Sequence, residues 1–314
     1  MVSFIIPNHN KAAFLAETIQ SLLSQTIGDW VAIFVDDGST DDSLKIIQEY
    51  SIKDNRISLV ALEKQKNASV CRNIGITNAE GDYVIFMDSD DVLEANCLET
   101  RINILKENPK LDFAVFGMGT FYEKIGDSNS YWIPIQEQAL EKFYSHDLPW
   151  QTMQPIYRKT FIEKNNLNFD EQLPRLQDVD FHTQILQLTP KFHVFPKIVD
   201  CYYRISAIRK VVHPESFYEN YVFSMNRYYF KFQTSYSQKY LNLTLLQGIS
   251  ILVNANQQNE LSSKSVLNQK RNLLENVGGS VFIVLNLYAQ IGVFLSVHIP
   301  GMRFIFKKLL KVLG

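Results

Sequence analysis

Short apolar, β-branched or aromatic runs alternate with longer amphipathic stretches through the first third of the chain. Val2–Ile6, Trp30–Val35, Ile57–Leu62, Tyr83–Met87 and Phe113–Gly117 have strand length and are bounded by Asp, Gly or Asn. Between them, Ala12–Gln25, Asp42–Lys53, Ala68–Asn78 and Leu93–Lys106 carry the apolar spacing of helices. Continuous apolar runs alternating with helices predict buried, mostly parallel strands joined by crossover helices, a Rossmann-like α/β sheet with helices on its faces. Right-handed crossovers return the chain to the same edge, so the loops that follow the strands converge on one crevice. From Thr120 to Pro149 the pattern weakens and becomes polar and aromatic, as expected of a specificity region rather than regular core. Beyond Ser206 it is helical and dense in Tyr and Phe. The expected organisation is an α/β domain over 1–213 and a helical region over 214–314.

The strand-end loops hold the candidate chemistry. Pro7-Asn8-His9-Asn10 follows the first run, Asp36-Asp37-Gly38-Ser39-Thr40-Asp41-Asp42 the second and Asp88-Ser89-Asp90-Asp91 the fourth. Clustered carboxylates repel one another unless a cation or a proton relieves them. Asp88 and Asp90, two apart in a turn, suit a divalent cation, Mn2+ or Mg2+, that takes its remaining ligands from a diphosphate. The competing reading makes Asp88–Asp91 a helix cap and first turn. Asp36–Ser39 likewise reads as a glycine turn before a helix capped by Ser39 or Thr40, leaving Asp37 to accept a nucleobase N–H. Further on, Asp178 and Asp180 open a helix with apolar positions Phe181, Ile185, Leu186 and Leu188. They are either two first-turn acids, or Asp178 is a general base within reach of an acceptor hydroxyl.

Composition narrows the classes. A chain of 314 residues, 46% hydrophobic and 20% charged, has ample apolar material for a core and is not mainly disordered. With 31 basic and 33 acidic residues it has no global field for a nucleic-acid backbone, which excludes nucleic acid as the main partner. Cys71, Cys97 and Cys201 have neither zinc-site nor disulfide-framework spacing, and the first residues show no secretory leader, so a cytoplasmic location is expected. The last acidic residue is Glu275. Val281–Ile299 is mostly apolar, and Arg303, Lys307, Lys308 and Lys311 then share one helical face. Such a basic amphipathic helix suits the anionic inner surface of a membrane, making the protein peripheral there. Packing on the core, a homo-oligomer interface and a true span are the other readings.

Five ordered blocks together resemble the family 2 inverting glycosyltransferases of GT-A fold, over roughly residues 1 to 205. They are Ser3–Asn10; Leu15 through Ser21–Thr26; Val35–Asp41; Asn67–Gly75; and Gly81–Tyr83 with Phe86–Asp91. The resemblance implies transfer of a sugar from a nucleotide-sugar, a UDP-sugar, to a hydroxyl of a growing glycan: a surface polysaccharide, a lipopolysaccharide or a lipid-linked oligosaccharide. It places Pro7, Asn8 and Asn10 along the nucleotide, Asp37 on the base, Asn67 and Arg72 near the nucleotide, Asp88 at ribose and metal, and Asp90 on the metal. Asp178 takes the role of catalytic base. Where the family commonly has Glu-Asp, this chain has Gln177-Asp178, so residue 177 is no acid. Gln177, Asp91 and Trp150 are assigned to the acceptor side. No Gln-x-x-Arg-Trp block follows Asp178, which favours addition of one or a few sugars, an α-linked donor giving a β-linked product. His213 is a lesser candidate for the diphosphate, and Phe217–Phe232 is an aromatic stripe that either stacks on sugars or packs a helix.

Two readings of other classes remain. A catalytically silent nucleotide-binding partner or scaffold subunit would be marked by loss of Asp90 or Asp178, and both are present. A nucleotidyltransferase or phosphatase calls for a Gly-rich basic loop or an early Asp-x-Asp, and Pro7-Asn8-His9-Asn10 is neither.

Overall fold

The computed structural model describes residues 1–205, 213–258, 260–275, 277, 281–283, 285, 286 and 289. The apolar-uncharged stretch is described only in part, and the basic helix expected over 303–311 lies outside the described residues. Among the described residues no helix is long and apolar enough to cross a membrane.

The elements follow the sequence pattern closely at first: β1 (Val2–Asn8), α1 (Ala12–Leu23), β2 (Trp30–Asp36), α2 (Ser43–Lys53), β3 (Ile57–Ala61), α3 (Ala68–Asn78) and β4 (Tyr83–Phe86). Then come β5 (Val92–Leu93), α4 (Cys97–Glu107), β6 (Phe113–Phe121), β7 (Tyr131–Trp132), α5 (Ala139–Tyr144), β8 (Pro155–Arg158), α6 (Lys159–Lys164), α7 (Gln177–Gln187) and β9 (Phe192–Arg204). Three long helices end the described chain: α8 (Pro214–Phe232), α9 (Gln238–Gln257) and α10 (Ser263–Leu274). The chain divides into two compact units. The first is Met1–Glu137, Pro149–Glu171 and Gln184–Ile208; the second is Gln138–Leu148, Gln172–Thr183 and Arg209–Gly314. A single cut after residue 213 therefore misses two early segments that pack with the C-terminal helices.

In the first unit, nine strands form one sheet in the order β3-β2-β1-β4-β8-β6-β9-β5, with β7 beside β6. The β3-β2-β1-β4 half is parallel, as expected, with Ile5 beside both Ile33 and Phe86. The other half is mixed: β8 runs antiparallel to β4 and β6, β6 is parallel to β9, and β5 is antiparallel to β9. The helix expected from Leu93 starts only at Cys97, because Val92 and Leu93 pair with Tyr202 and Cys201. A long-range ladder has overridden local helical spacing there.

Close packing of helix on sheet depends on Gly75 in α3. A Cβ at that position would lie 2.2 Å from Ile5 Cγ2, so any larger residue pushes α3 off β1. Elsewhere, Arg101 of α4 and Asp200 of β9 form a fully buried pair, with Nε and Nη2 donating to the two carboxylate oxygens at 2.8 and 2.6 Å. The guanidinium donates also to Met153 O and lies over the Phe116 ring.

In the second unit, α8 buries Tyr218, Val222, Met225, Tyr228, Tyr229 and Phe232, so half of the aromatic stripe is helix packing, while Phe223 and Phe230 are exposed. The short α5 joins this bundle through Phe143 O, which accepts from Tyr228 Oη at 3.1 Å, and Tyr144 O, which accepts from Thr244 Oγ1. His146, at the end of that segment with φ +55°, is buried against the edge of Tyr228 with Nε2 unpartnered.

Two expectations follow. Gly75→Ala should cost about 1–3 kcal/mol of stability despite alanine's better helix propensity, read as a lower urea midpoint. Burial holds His146 down at about 4, well below its value in the unfolded chain. The unfolded state thus binds the extra proton first, so stability is full above about pH 6.5 and falls as pH drops towards 4, by about 3 kcal/mol. His146→Asn, which tolerates the left-handed backbone, should flatten that acid limb in denaturation curves taken from pH 7 to 4.

Candidate active site

Register builds the site. Because β1 and β2 run parallel with Asn8 beside Asp36, both side chains leave the sheet at its carboxyl edge together. Asn8 Nδ2 donates to Asp36 Oδ2 at 2.7 Å, and Asp36 also accepts from Ser39 N at 2.8 Å and Ser39 Oγ at 2.6 Å. Asp36 is completely buried and is the internal strut of this turn. Ser39 and Thr40 do not cap α2, whose first turn is instead held by Asp41 Oδ1 accepting from Ser43 N. Gly38, at φ +71°, turns the chain against the backbone of Lys64 and Gln65, where a side chain has no room.

Asn10 sits at φ +52°, a conformation asparagine tolerates, and its Oδ1 accepts from Thr40 N at 2.8 Å and Asp41 N at 3.3 Å. Pro7, one residue before the end of β1, lies beside Val35. Asp37 is 4% exposed, its Oδ1 accepting from Lys66 N at 2.7 Å. The neighbouring Cys71 thiol is pushed up to about 12, first by burial and then by the Asp37 carboxylate to which it donates. Cys71 therefore stays a thiol. Asn8 Oδ1, buried in the same turn, has no hydrogen-bond partner among the described residues.

The acidic turn after β4 does not open a helix. It links β4 to β5, and three carboxylates within four residues meet three different answers. Arg72 of α3, nearly buried and stacked over Phe169, donates through Nη2 to Asp88 Oδ1 at 2.8 Å. Lys11, from the first strand-end loop, pairs with Asp90 Oδ2. Asp91 is 2% exposed, and burial, then the charges of Asp88 and Asp90, push its carboxyl well above the usual carboxylate range; its Oδ1 accepts from Arg204 N at 3.0 Å. A carboxyl buried inside the turn and hydrogen-bonded to the β9 backbone does not face an acceptor, which corrects the expectation for Asp91.

Arg204, at the end of β9, clamps this turn from below. Its Nε donates to Asp90 O at 3.0 Å, its Nη2 pairs with Glu17 of α1, and its guanidinium lies over the rings of Phe14 and Phe121. Sequence reasoning missed Arg204 because β9 itself was not foreseen. It missed Lys11 although the residue follows Asn10 directly. Of two further candidates, Asn67 directly follows Lys66, whose amide binds Asp37. Asn67 caps α3, its Oδ1 accepting from Val70 N at 3.1 Å while Nδ2 donates to Glu171 O at 2.8 Å. Trp150 is 1% exposed among Phe113 and Phe192, so it is core rather than an acceptor surface.

Asp178 and Gln177 belong to the second unit, at the start of α7. Asp178 is half-buried in the first turn, as the sequence indicated, and Gln177 Nε2 donates back to Leu173 O at 2.8 Å. His213 is exposed at the start of α8, with no side-chain cap hydrogen bond.

Hard oxygen donors on a rigid turn fit a divalent cation, and Asp88 and Asp90 keep accessible side chains, 44% and 19% exposed, for it. Among the described residues no group of three or more His, Cys, Asp or Glu forms a complete cage, so such a cation needs ligands from elsewhere, as a diphosphate supplies. Lys11 then competes for Asp90. Lys11→Met should raise Mn2+ affinity about threefold to tenfold in calorimetry of the nucleotide-free protein; unchanged or weaker binding would show that the ammonium does not hold Asp90 in solution.

Known proteins resemble this chain in sequence and in fold. A sequence model described as "Glycosyl transferase family 2" matches residues 3–181. The uncharacterized glycosyltransferase EpsJ of Bacillus subtilis is 32% identical over 194 residues, covering 58% of this chain and 55% of its own. The Escherichia coli UDP-Glc:alpha-D-GlcNAc-diphosphoundecaprenol beta-1,3-glucosyltransferase WfgD is 36% identical over 108 residues, 34% of this chain and 42% of its own. The chain spans about half the length of the curated relatives it matches. Among solved structures, S. aureus TarS residues 1–349 in complex with UDP-GlcNAc superposes with a TM-score of 0.68 at 20% identity, covering 99% of this chain and 90% of that one, a likeness of fold. From the first strand through the Asp88–Asp91 turn to the start of α7, the match takes in the strand-end loops just described, and the chain belongs to glycosyl transferase family 2.

Proposed function

We propose that this protein transfers a sugar from a UDP-sugar to a hydroxyl of a glycan or lipid-linked acceptor, with inversion at the anomeric carbon. The observation that carries the reading is the acidic turn after β4, whose Asp88 and Asp90 are held apart by Arg72 and Lys11 at the carboxyl edge of the parallel strands. In parallel sheets that edge is where ligands bind. The likeness to a TarS structure holding UDP-GlcNAc and to WfgD, named for UDP-Glc and a diphosphoundecaprenol acceptor, supports the donor and the acceptor class.

In this reading Asp37, fixed by the Lys66 amide, offers its remaining acceptor capacity to the N–H of the base. Asn8 and Pro7 form the floor beside it, and Asn10 keeps the Ser39–Asp41 turn in shape. Arg72 orients Asp88 towards ribose and diphosphate. A bound Mn2+ or Mg2+ on Asp90 and Asp88 would supply positive charge against the leaving diphosphate. Lys11, once released from Asp90, is placed to add a second positive charge. Such contacts accelerate transfer only so far as they strengthen in the transition state.

Asp178 is the base. It accepts the proton of the acceptor hydroxyl while that oxygen bonds to the anomeric carbon and the carbon–oxygen bond to the diphosphate breaks, its electron pair leaving with UDP. One displacement turns an α-linked donor into a β-linked product. A basic tail resting on the inner surface of the membrane would bring the enzyme to a lipid-linked acceptor, and self-association through that tail is the alternative use of it.

Calorimetry of UDP, GDP, CDP and dTDP with and without Mn2+ tests the donor side. UDP should bind in the presence of the metal, with Asp90→Asn at least tenfold weaker. Asp178→Asn should keep UDP affinity within about twofold and lose transfer by a factor of about 10² or more. Absence of binding by every nucleotide would turn the assignment towards a silent scaffold subunit.

A further inference from the structure

Asp180 lies two residues beyond Asp178 in the first turn of α7 and has no exposed surface. Both its carboxylate oxygens accept from the Lys231 ammonium of α8, at 2.7 and 2.8 Å. A second rung lies beside the first. Thr183 Oγ1 and Tyr228 Oη are 2.7 Å apart, and Tyr228 Oη reaches Phe143 O at 3.1 Å. Asp180 and Thr183 are three apart on α7, and Tyr228 and Lys231 three apart on α8, so each pair shares one helical face. Two polar rungs therefore join the same two faces.

Residues two apart on a helix point about 200° from each other. The grip on Asp180 thus holds the side of α7 opposite Asp178 and leaves the Asp178 side uncovered by this contact. The entry to the helix is constrained as well: Leu176, immediately before α7, is held at φ +60°, and its carbonyl accepts the Asp180 amide at 2.9 Å. A left-handed leucine costs about 1–3 kcal/mol and persists only where the surroundings fix it. Asp180 is fully buried while the Lys231 side chain is 32% exposed, and an ion pair open to water on one side adds little stability. What it adds is direction.

We propose that Lys231, acting through Asp180, is a positioning residue that sets where the α7 turn presents Asp178 to the acceptor hydroxyl. The inference rests on the reading of Asp178 as the base. It makes the C-terminal helices part of the catalytic apparatus, because α8 carries the cation that fixes the base's turn.

The test compares Lys231→Met, Lys231→Arg, the double variant Asp180→Leu/Lys231→Met, and Asp178→Asn in the full chain. UDP release from UDP-GlcNAc and amide exchange of residues 176–183 are both measured. Lys231→Met is expected to lower kcat about tenfold to a hundredfold at unchanged KM and UDP affinity. Exchange over 176–183 should rise about tenfold, with no change over α3. Lys231→Arg, which can still pair with Asp180, should recover most of both. The double variant removes both charges of the pair together and should fold, yet keep the low kcat.

Lys231→Met or the double variant with kcat within twofold of wild type and protected 176–183 amides would overturn the proposal. So would loss of UDP affinity in parallel with kcat, the mark of general unfolding. If turnover of UDP-GlcNAc is too slow to measure, the exchange data decide: unaltered protection in both variants overturns it, local loss restored by Lys231→Arg supports it. Turnover retained in Asp178→Asn sinks the base assignment itself; an inactive Asp178→Asn beside a fully active Lys231→Met sinks only the positioning role.

Discussion

Three carboxylates in one four-residue turn is the constraint around which the first unit is arranged. Left alone, Asp88, Asp90 and Asp91 would repel one another strongly in so small a space. The fold relieves each differently: a fixed guanidinium for Asp88, a long ammonium for Asp90, and for Asp91 burial, which pushes its carboxyl well above the usual carboxylate range. Each remedy comes from a different part of the chain. Lys11 follows β1, Arg72 lies on α3, and Arg204 ends β9, so the turn exists in this shape only when strands from both halves of the sheet are in place. The exposure of the two outer carboxylates, against the concealment of the third, leaves a site that can exchange its cations while its backbone stays clamped.

Buried charge recurs with the same logic. Arg101 with Asp200 ties α4 to β9. Arg204 joins Glu17 and the acidic turn, and Lys231 with Asp180 ties α8 to α7. In each case a side chain taken out of water meets a partner of opposite charge within hydrogen-bonding distance. Removing one partner strands the other. These pairs therefore fix angles and register where apolar packing would permit several arrangements.

The hydrophobic pattern carried the β3-β2-β1-β4 half of the sheet because those strands are local βαβ units, buried on both faces and separated by helices of regular spacing. Ala68–Asn78 emerged at its expected bounds. The strand-end loops were equally visible, since polar residues must collect where apolar runs end. Beyond residue 90 local spacing misled. Val92–Leu93 looks like the start of a helix, yet its backbone groups are taken by β9, more than a hundred residues later. The strands over 155–158 and 192–204 are shaped by partners too distant for any local window. Trp150 is expected on the acceptor side, but Phe113 and Phe192 close around it.

The sequence by itself determined the parallel half-sheet, the acidic strand ends and the family, because each is written in short contiguous blocks whose spacing is physical. Only the tertiary structure decided which acid is buried, which cation answers which carboxylate, and which aromatics are core. Those choices are set by burial and by pairs separated by tens to hundreds of residues, Lys11 with Asp90, Asp91 with Arg204 and Asp180 with Lys231 among them. Neither desolvation nor long-range pairing exists until the chain has closed on itself.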